Sequence, residues 1–263
     1  MARPVIALLT DFGTADHYAG AMKGAALAIC PDATLVDITH DIAPHDVLSG
    51  ALELAAAYKS FPAGTIFVAV VDPGVGSTRR AIAADAGGYR FLAPDNGLLT
   101  LVLREASAPQ VVELTERRYA RADISRTFEG RDRFAPAAAW LASGIATAAL
   151  GRAVTTWHEL TLPRASRSGG VIDGEVMRVD RFGNLITNID RALLEGIAGY
   201  AIDITAGNHR VEAFVATYAD VELDRVCALV GSSGHLEIAV NGGSAAARLG
   251  LARGAHVRMA RLL

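Results

Sequence analysis

Three short segments of the chain carry side chains able to do chemistry, and each lies beside an apolar run or ahead of a helix. The first, Thr10-Asp11-Phe12-Gly13-Thr14, puts a carboxylate directly behind a β-branched stretch. In open α/β sheets ligands bind beyond the carboxyl ends of the strands, so this is where a binding carboxylate belongs. Two oxygens would let Asp11 accept both hydroxyls of a vicinal diol; the alternative is that Asp11 caps the following helix. The second segment is Val71-Asp72-Pro73-Gly74-Val75-Gly76-Ser77-Thr78-Arg79-Arg80. Its glycines permit tight turns, so Asp72 and the arginines can fold back into one charged cluster, or simply pair at the surface of a structural loop. It matches neither GxGxxG nor GxxxxGK[ST] and implies no phosphate cradle. The third, Thr127-Phe128-Glu129-Gly130-Arg131-Asp132-Arg133-Phe134-Ala135-Pro136, gathers charge ahead of a helix. Acids are favoured near a helix N-terminus, so either Glu129 or Asp132 can be structural.

These segments need a scaffold, and the hydrophobic pattern supplies one. Short β-branched runs alternating with Ala/Leu-rich stretches suit parallel strands joined by crossover helices. The expected strands are 5–10, 34–38, 65–72, 82–85, 90–93 and 111–114. Helices are expected over 17–28 and 47–58, the latter stopped by Pro62-Ala63-Gly64. A third should follow Arg133, with Pro136 in its first turn and 137–141 continuing the apolar face. After Gly151 the pattern loosens into short strands at 174–179, 184–189, 200–205, 211–214 and 235–240. The fold class is therefore α/β. A Rossmann-like N-terminal sheet domain with flanking helices (1–162) leads through a linker (163–170) to a smaller, mainly β, barrel-like C-terminal domain (171–263).

Composition narrows the function classes. With 51% hydrophobic and 20% charged residues the 263-residue chain is globular rather than disordered. A net charge of -3 with both signs interspersed offers no basic face for nucleic acid. Cys30 and Cys227 stand far apart, so no disulfide framework or zinc site is expected, and His17, His40, His158, His209 and His235 show no metal-ligand spacing. The apolar run at 5–9 is too short for a signal sequence or a bilayer span, which points to the cytoplasm and away from membranes. A nicotinamide enzyme is disfavoured, because no GxGxxG follows the first strand.

Taken in order, Leu9-Thr10-Asp11-Phe12-Gly13, Ile38-Thr39-His40, Phe61-Pro62-Ala63-Gly64-Thr65, the 71–76 loop, Ala93-Pro94-Asp95-Asn96-Gly97-Leu98-Leu99, Gly130-Arg131-Asp132 with Phe134-Ala135-Pro136, and Asp180-Arg181-Phe182-Gly183-Asn184 with Thr187-Asn188-Ile189 form a specific set. Over nearly its whole length the chain resembles the S-adenosyl-L-methionine hydroxide adenosyltransferase (adenosine-forming hydrolase) family, relatives of the fluorinases and chlorinases.

The resemblance implies an enzyme that hydrolyses S-adenosyl-L-methionine to adenosine and L-methionine by attack of water or hydroxide at ribose C5′. No cofactor is implied, because S-adenosyl-L-methionine is the substrate. It further implies a homotrimer, with each ligand enclosed by the large domain of one subunit and the small domain of the next. Asp11 would hold the ribose diol. Asp180, Phe182 and Asn184 would meet the amino-acid end or the adenine, and Ser232 the methionine carboxylate; Ser233 stands where the halogenating relatives have arginine. Phe12, His45 and Asn96 join the substrate contacts by the same matching, His45 at a ribose-side aromatic position.

Asp72 and Arg79 match two members of the family's Asp–Arg–His set, which orients a water for in-line attack. The third position departs from the pattern, because Glu129 replaces the histidine. Where halogenating relatives have Tyr-Pro-Ala-Thr-Gly, Asp72 begins the loop here and would repel a halide. Water's pKa of about 15.7 lies far above that of any carboxylate, so Asp72 is expected to orient the water and accept its proton late. Two alternatives remain: an adenosyl-ligand-binding homologue impaired by Glu129, and a 5′-halogenating enzyme.

Overall fold

The computed structural model describes residues 3–195 and 201–262, which divide into two compact units, 1–160 and 161–263. In the first unit the strands are β1 (Val5–Thr10), β2 (Thr34–Thr39), β3 (Ile66–Val70), β4 (Ala81–Ala86), β5 (Tyr89–Pro94), β6 (Gln110–Leu114) and β7 (Gly151–Val154). Its helices are α1 (Tyr18–Leu27), α2 (Val47–Ala57), α3 (Thr100–Glu105) and α4 (Ala135–Ala142). One sheet runs β2-β1-β3-β5-β4-β6-β7. Alternation within β1 sends Ile6 and Leu8 to the layer holding Met22, Ala138 and Leu141. Ala7 and Leu9 go to the opposite layer, with Leu54, Phe67 and Val102. Helices therefore cover both faces, α1 and α4 on one and α2 and α3 on the other.

The parallel strands that the pattern suits make up only part of this sheet. β2, β1, β3 and β5 are parallel, whereas β4 runs antiparallel to both β5 and β6, and β6 to β7. The cause is local. Gly87-Gly88, both at positive φ, close a two-residue hairpin between Ala86 and Tyr89, and so short a connection cannot make a crossover. α3 and β7, neither of which stands out in the sequence pattern, complete the unit. The helix after Arg133 is entered through a π-helical turn over Gly130–Phe134, with Pro136 in the first turn of α4.

The parallel half explains where a site can form. The chain leaves β1 for β2 on one side and returns to β3 on the other, so β1 and β3 flank a topological switch point. Thr10 pairs with Val70 in register, which brings the residues that follow both strands to the same sheet end.

In the second unit the strands are β8 (Ser166–Ser168), β9 (Val171–Val179), β10 (Leu185–Asp190), β11 (Ile202–Ala206), β12 (His209–Val211), β13 (Ala213–Phe214), β14 (Val226–Val230), β15 (His235–Val240) and β16 (His256–Arg261). The expected strand 200–205 begins at Tyr200, outside the described residues. The expected strand 211–214 is corrected to two, β12 and β13, separated by Glu212 alone. They occupy the two ends of the path β12-β11-β16-β9-β10-β15-β14-β13. A ladder whose ends are joined by one residue must curl on itself, and the sheet is accordingly barrel-like around Ile172, Val176, Ile189, Leu236, Ile238 and Met259. Within the segment read as a linker, β8 pairs with β9 and belongs to this unit.

Candidate active site

At the switch point of the first unit lies a cavity of about 260 Å³ lined by Asp11, Phe12, Pro44, His45, Val70, Asp72, Val75, Thr127, Phe128, Glu129 and Gly130. Five of the residues singled out from sequence meet here: Asp11, Phe12, His45, Asp72 and Glu129. They come from the ends of β1 and β3, from the loop before α2, and from the approach to α4.

Asp11 does not cap a helix. No side chain caps α1, and Asp11 Oδ2 instead accepts the His45 backbone N–H at 2.9 Å. That bond holds His45 in a left-handed conformation, φ 68°, which few non-glycine residues adopt. The cap of α2 is Asp46, which accepts from Ser49 N and Ser49 Oγ at 3.0 and 2.8 Å. Beneath Asp11, Thr10 Oγ1 lies 2.8 Å from His40 Nδ1 and accepts the Phe12 N–H at 3.2 Å, while Gly13 N donates to His40 O. His40 Nε2 in turn lies 3.0 Å from Asp37 Oδ1. Bonds to His40, the residue that follows β2, therefore fix the loop that carries Asp11.

The second segment folds back on itself. Arg79 Nε donates to Asp72 Oδ1 at 2.9 Å and its Nη2 to Asp72 Oδ2, a two-point pair; Nη2 also donates to Glu129 Oε2 at 2.6 Å. These side chains are nearly sealed, with Asp72, Arg79 and Glu129 exposing 5%, 11% and 13%. Burial opposes the Arg79 charge, but Asp72 and then Glu129 outweigh it and hold the guanidinium firmly protonated. Phe134 lies under the guanidinium, 5.8 Å from ring centre to Cζ. The loop is clamped where Arg126 Nη2 donates to Gly76 O at 3.1 Å. Gly76 has φ 77° and no room for a Cβ against Arg126 O, so glycine is required. Arg80 is diverted to Asp95, with Nε donating to Oδ2 at 2.8 Å.

In the third segment the two acids separate. Asp132 is fully buried and turned from the cavity, accepting Ser125 N at 2.9 Å and Arg131 Nε at 2.7 Å. Burial pushes its carboxyl up, but the bonds from Arg131 and Ser125 prevail and hold it below its usual 3.8. A depressed carboxylate stabilises the fold above its unfolded pKa, and the contribution is lost as pH falls through the folded value. Asp132→Asn should therefore lower the unfolding free energy by about 3 kcal/mol at neutral pH. It should also lose less stability than the parent between about pH 5 and pH 3, as denaturant titrations at each pH would show. Phe12 and Phe128 line the cavity and Tyr18 packs against both, the three rings edge-to-face with centroids 5.1–6.0 Å apart.

Asn96 is not among the cavity's lining residues. Its Nδ2 donates to Val71 O at 2.8 Å and its Oδ1 accepts Leu98 N at 3.2 Å, so the amide anchors the strand end that leads to Asp72. The remaining expected residues lie in the second unit, in two turns. Asp180 Oδ1 accepts Phe182 N and Asn184 N at 2.9 and 2.8 Å, and Oδ2 accepts Asn184 Nδ2 at 2.9 Å. Asn184 is thereby buried, while Phe182 is 77% exposed. Ser232 is exposed in the turn between β14 and β15. Glu237 relates the two turns: its Oε2 leaves no space for a Cβ at Gly231, and burial, with the Asp180 charge added, pushes its carboxyl up against the Tyr218 hydroxyl that donates to it at 2.6 Å. Sequence reasoning missed Glu237, whose place in an apolar alternating strand reads as an outward position. It also passed over Phe128 and Pro44, neighbours of residues it did select.

Among the described residues no group of His, Cys, Asp and Glu is arranged to hold a metal ion, and no helix is long and apolar enough to cross a membrane.

The chain matches the family model of the SAM hydroxide adenosyltransferase N-terminal domain over residues 6–151 and that of the C-terminal domain over 174–258. It is 39% identical to the (R)-S-adenosyl-L-methionine hydrolase of Salinispora tropica, covering 97% of each chain. It is 33% identical to a fluorinase of an Actinoplanes species, covering 90% of this chain and 91% of that one. Among solved structures, an uncharacterized conserved protein from Thermotoga maritima superimposes with a TM-score of 0.93 at 34% identity, covering 97% of this chain and 100% of that one.

Proposed function

The chain belongs to the SAM hydroxide adenosyltransferase family, and on that premise we propose that it hydrolyses S-adenosyl-L-methionine to adenosine and L-methionine. The observation that carries this reading is one cavity lined by Asp11, Asp72 and Glu129, the last two held by Arg79. Asp11 receives the ribose hydroxyls on the oxygen not taken by His45. Asp72, held by Arg79, orients a water toward C5′. The water oxygen bonds to C5′ as the C5′–S bond breaks, and the bond pair goes to sulfur, turning the sulfonium into a neutral thioether. The proton shed by the water passes to the Asp72 carboxylate and then to solvent. Every bond in this sequence is made by the substrate, water and side chains, so the reaction calls for no cofactor. Two carboxylates on the cavity wall, Asp72 and Glu129, repel a halide and favour water as nucleophile.

A volume of about 260 Å³ is below the roughly 300–1,000 Å³ usual for small-molecule sites; in the homotrimer that the family resemblance implies, a neighbouring subunit would supply a further wall. Asp180, Phe182, Asn184 and Ser232 are the residues proposed for that wall, and Asn96 acts behind the site as an anchor. Cys30 and Cys227 are free and buried, in keeping with a cytoplasmic protein.

The test is product analysis of purified protein with S-adenosyl-L-methionine, in buffer free of halide and then with chloride or fluoride. Adenosine and methionine are the expected products under each condition, and Glu129→His should turn over within about tenfold of the parent, a range set by comparable proton-handling groups. A halogenated nucleoside would replace hydrolysis with halogenation. A silent parent beside an active Glu129→His variant would make this chain an adenosyl-ligand-binding protein.

A further inference from the structure

Glu129 is claimed by two guanidiniums. Its Oε2 accepts from Arg79, while Oε1 lies 3.5 Å from Arg133 Nη2, one helical turn further on. Arg133 is 28% exposed; its Nη1 donates to Leu114 O at 3.3 Å, and its buried Nε is without a partner among the described residues. The bond to Leu114 leaves Nη2 free to face the Glu129 carboxylate. The carboxylate explains it: Asp72 already occupies Arg79 at two points, so a second acid on the same guanidinium leaves a surplus negative charge, to which Asp11 adds another in the same cavity.

That surplus matters to the reaction proposed above, on which this inference rests. The substrate enters as a sulfonium cation and loses its positive charge as the C5′–S bond breaks. A cavity too negative stabilises the cation more than the transition state, tightening binding and slowing turnover. We infer that Arg133 is a positioning residue that neutralises Glu129 and keeps the cavity from overbinding the sulfonium. It does not line the cavity and acts on it through Glu129.

Five proteins test this: the parent, Arg133→Met, Glu129→Gln, the double variant and Arg133→Lys as the conservative control. In the parent background Arg133→Met should lower kcat about tenfold and lower KM about threefold, whereas in the Glu129→Gln background it should change each by less than about twofold. Arg133→Lys should keep most of the parent's turnover, because it retains the charge. Equal losses in both backgrounds, or a raised KM, would show that Arg133 merely braces the fold through Leu114 and would overturn the inference. Should the parent release no adenosine, the reading of the reaction fails, and calorimetric binding of S-adenosyl-L-methionine still decides on Arg133. Tighter binding by Arg133→Met only when Glu129 is present supports its role; unchanged or weaker binding refutes it.

Discussion

Replacing Asp72 by alanine is expected to lower kcat by about a thousandfold while moving KM by no more than about threefold. The split follows from geometry. Asp72 is the strand-end carboxylate that faces the cavity while fastened at both oxygens by Arg79, so its lone pairs have a fixed direction. A fixed acceptor helps most when the water is losing its proton, which occurs on the way to the transition state and not on binding. Removing it also loosens Arg79, which keeps Glu129 as its one remaining ion-pair partner among the described residues. The remaining pair keeps the guanidinium from being stranded, so the variant should fold. Steady-state adenosine release, beside a thermal melt to establish folding, makes the measurement. Equal losses in kcat and in substrate affinity would move Asp72 from the chemistry to the scaffold.

The second large effect belongs to Asp11 and takes the opposite form. Asp11→Ala should weaken adenosine and S-adenosyl-L-methionine binding by about a hundredfold, since hydrogen bonds to a charged acceptor contribute about 1.5–3 kcal/mol each. Part of that loss would be indirect, because the same side chain holds His45 at positive φ. Asp11→Asn separates the contributions: its amide oxygen can still accept the His45 N–H but offers the diol no negative charge, and about tenfold weaker binding is expected. Comparing adenosine with 2′,3′-dideoxyadenosine by calorimetry completes the argument. The parent should strongly prefer the diol and Asp11→Ala should not; an undiminished preference in the variant would mean that another group holds the ribose.

These two residues were legible before any coordinates because both directly follow apolar runs. A strand of 5–6 buried residues announces itself through β-branched composition, and the first polar residues beyond it must emerge at a sheet end. The helices over 18–27 and 47–57 were equally plain, since small and apolar residues recur at helical spacing. Asp132 and Glu129 show where such reading stops. Three residues apart, both acids suit the N-terminal side of a helix equally well. What separates them is that Ser125 N and Arg131 take Asp132, while Arg79, fifty positions back, takes Glu129. Asn96 is a similar case: its motif matched, yet the carbonyl of Val71, twenty-five positions away, claims its amide.

By itself, then, the sequence determined the run of strands and helices, the division into an α/β part and a β part, and the carboxylates that stand at strand ends. Local sterics and the period of burial dictate these within a few residues, so they can be read from a few residues. Tertiary structure alone decided that half of the first sheet turns antiparallel, that β12 and β13 close the second, which acid faces the cavity, and that Arg133 answers Glu129. Hydrogen bonds and charges act between atoms brought within a few ångströms by folding, and no spacing along the chain records which distant partner arrives first.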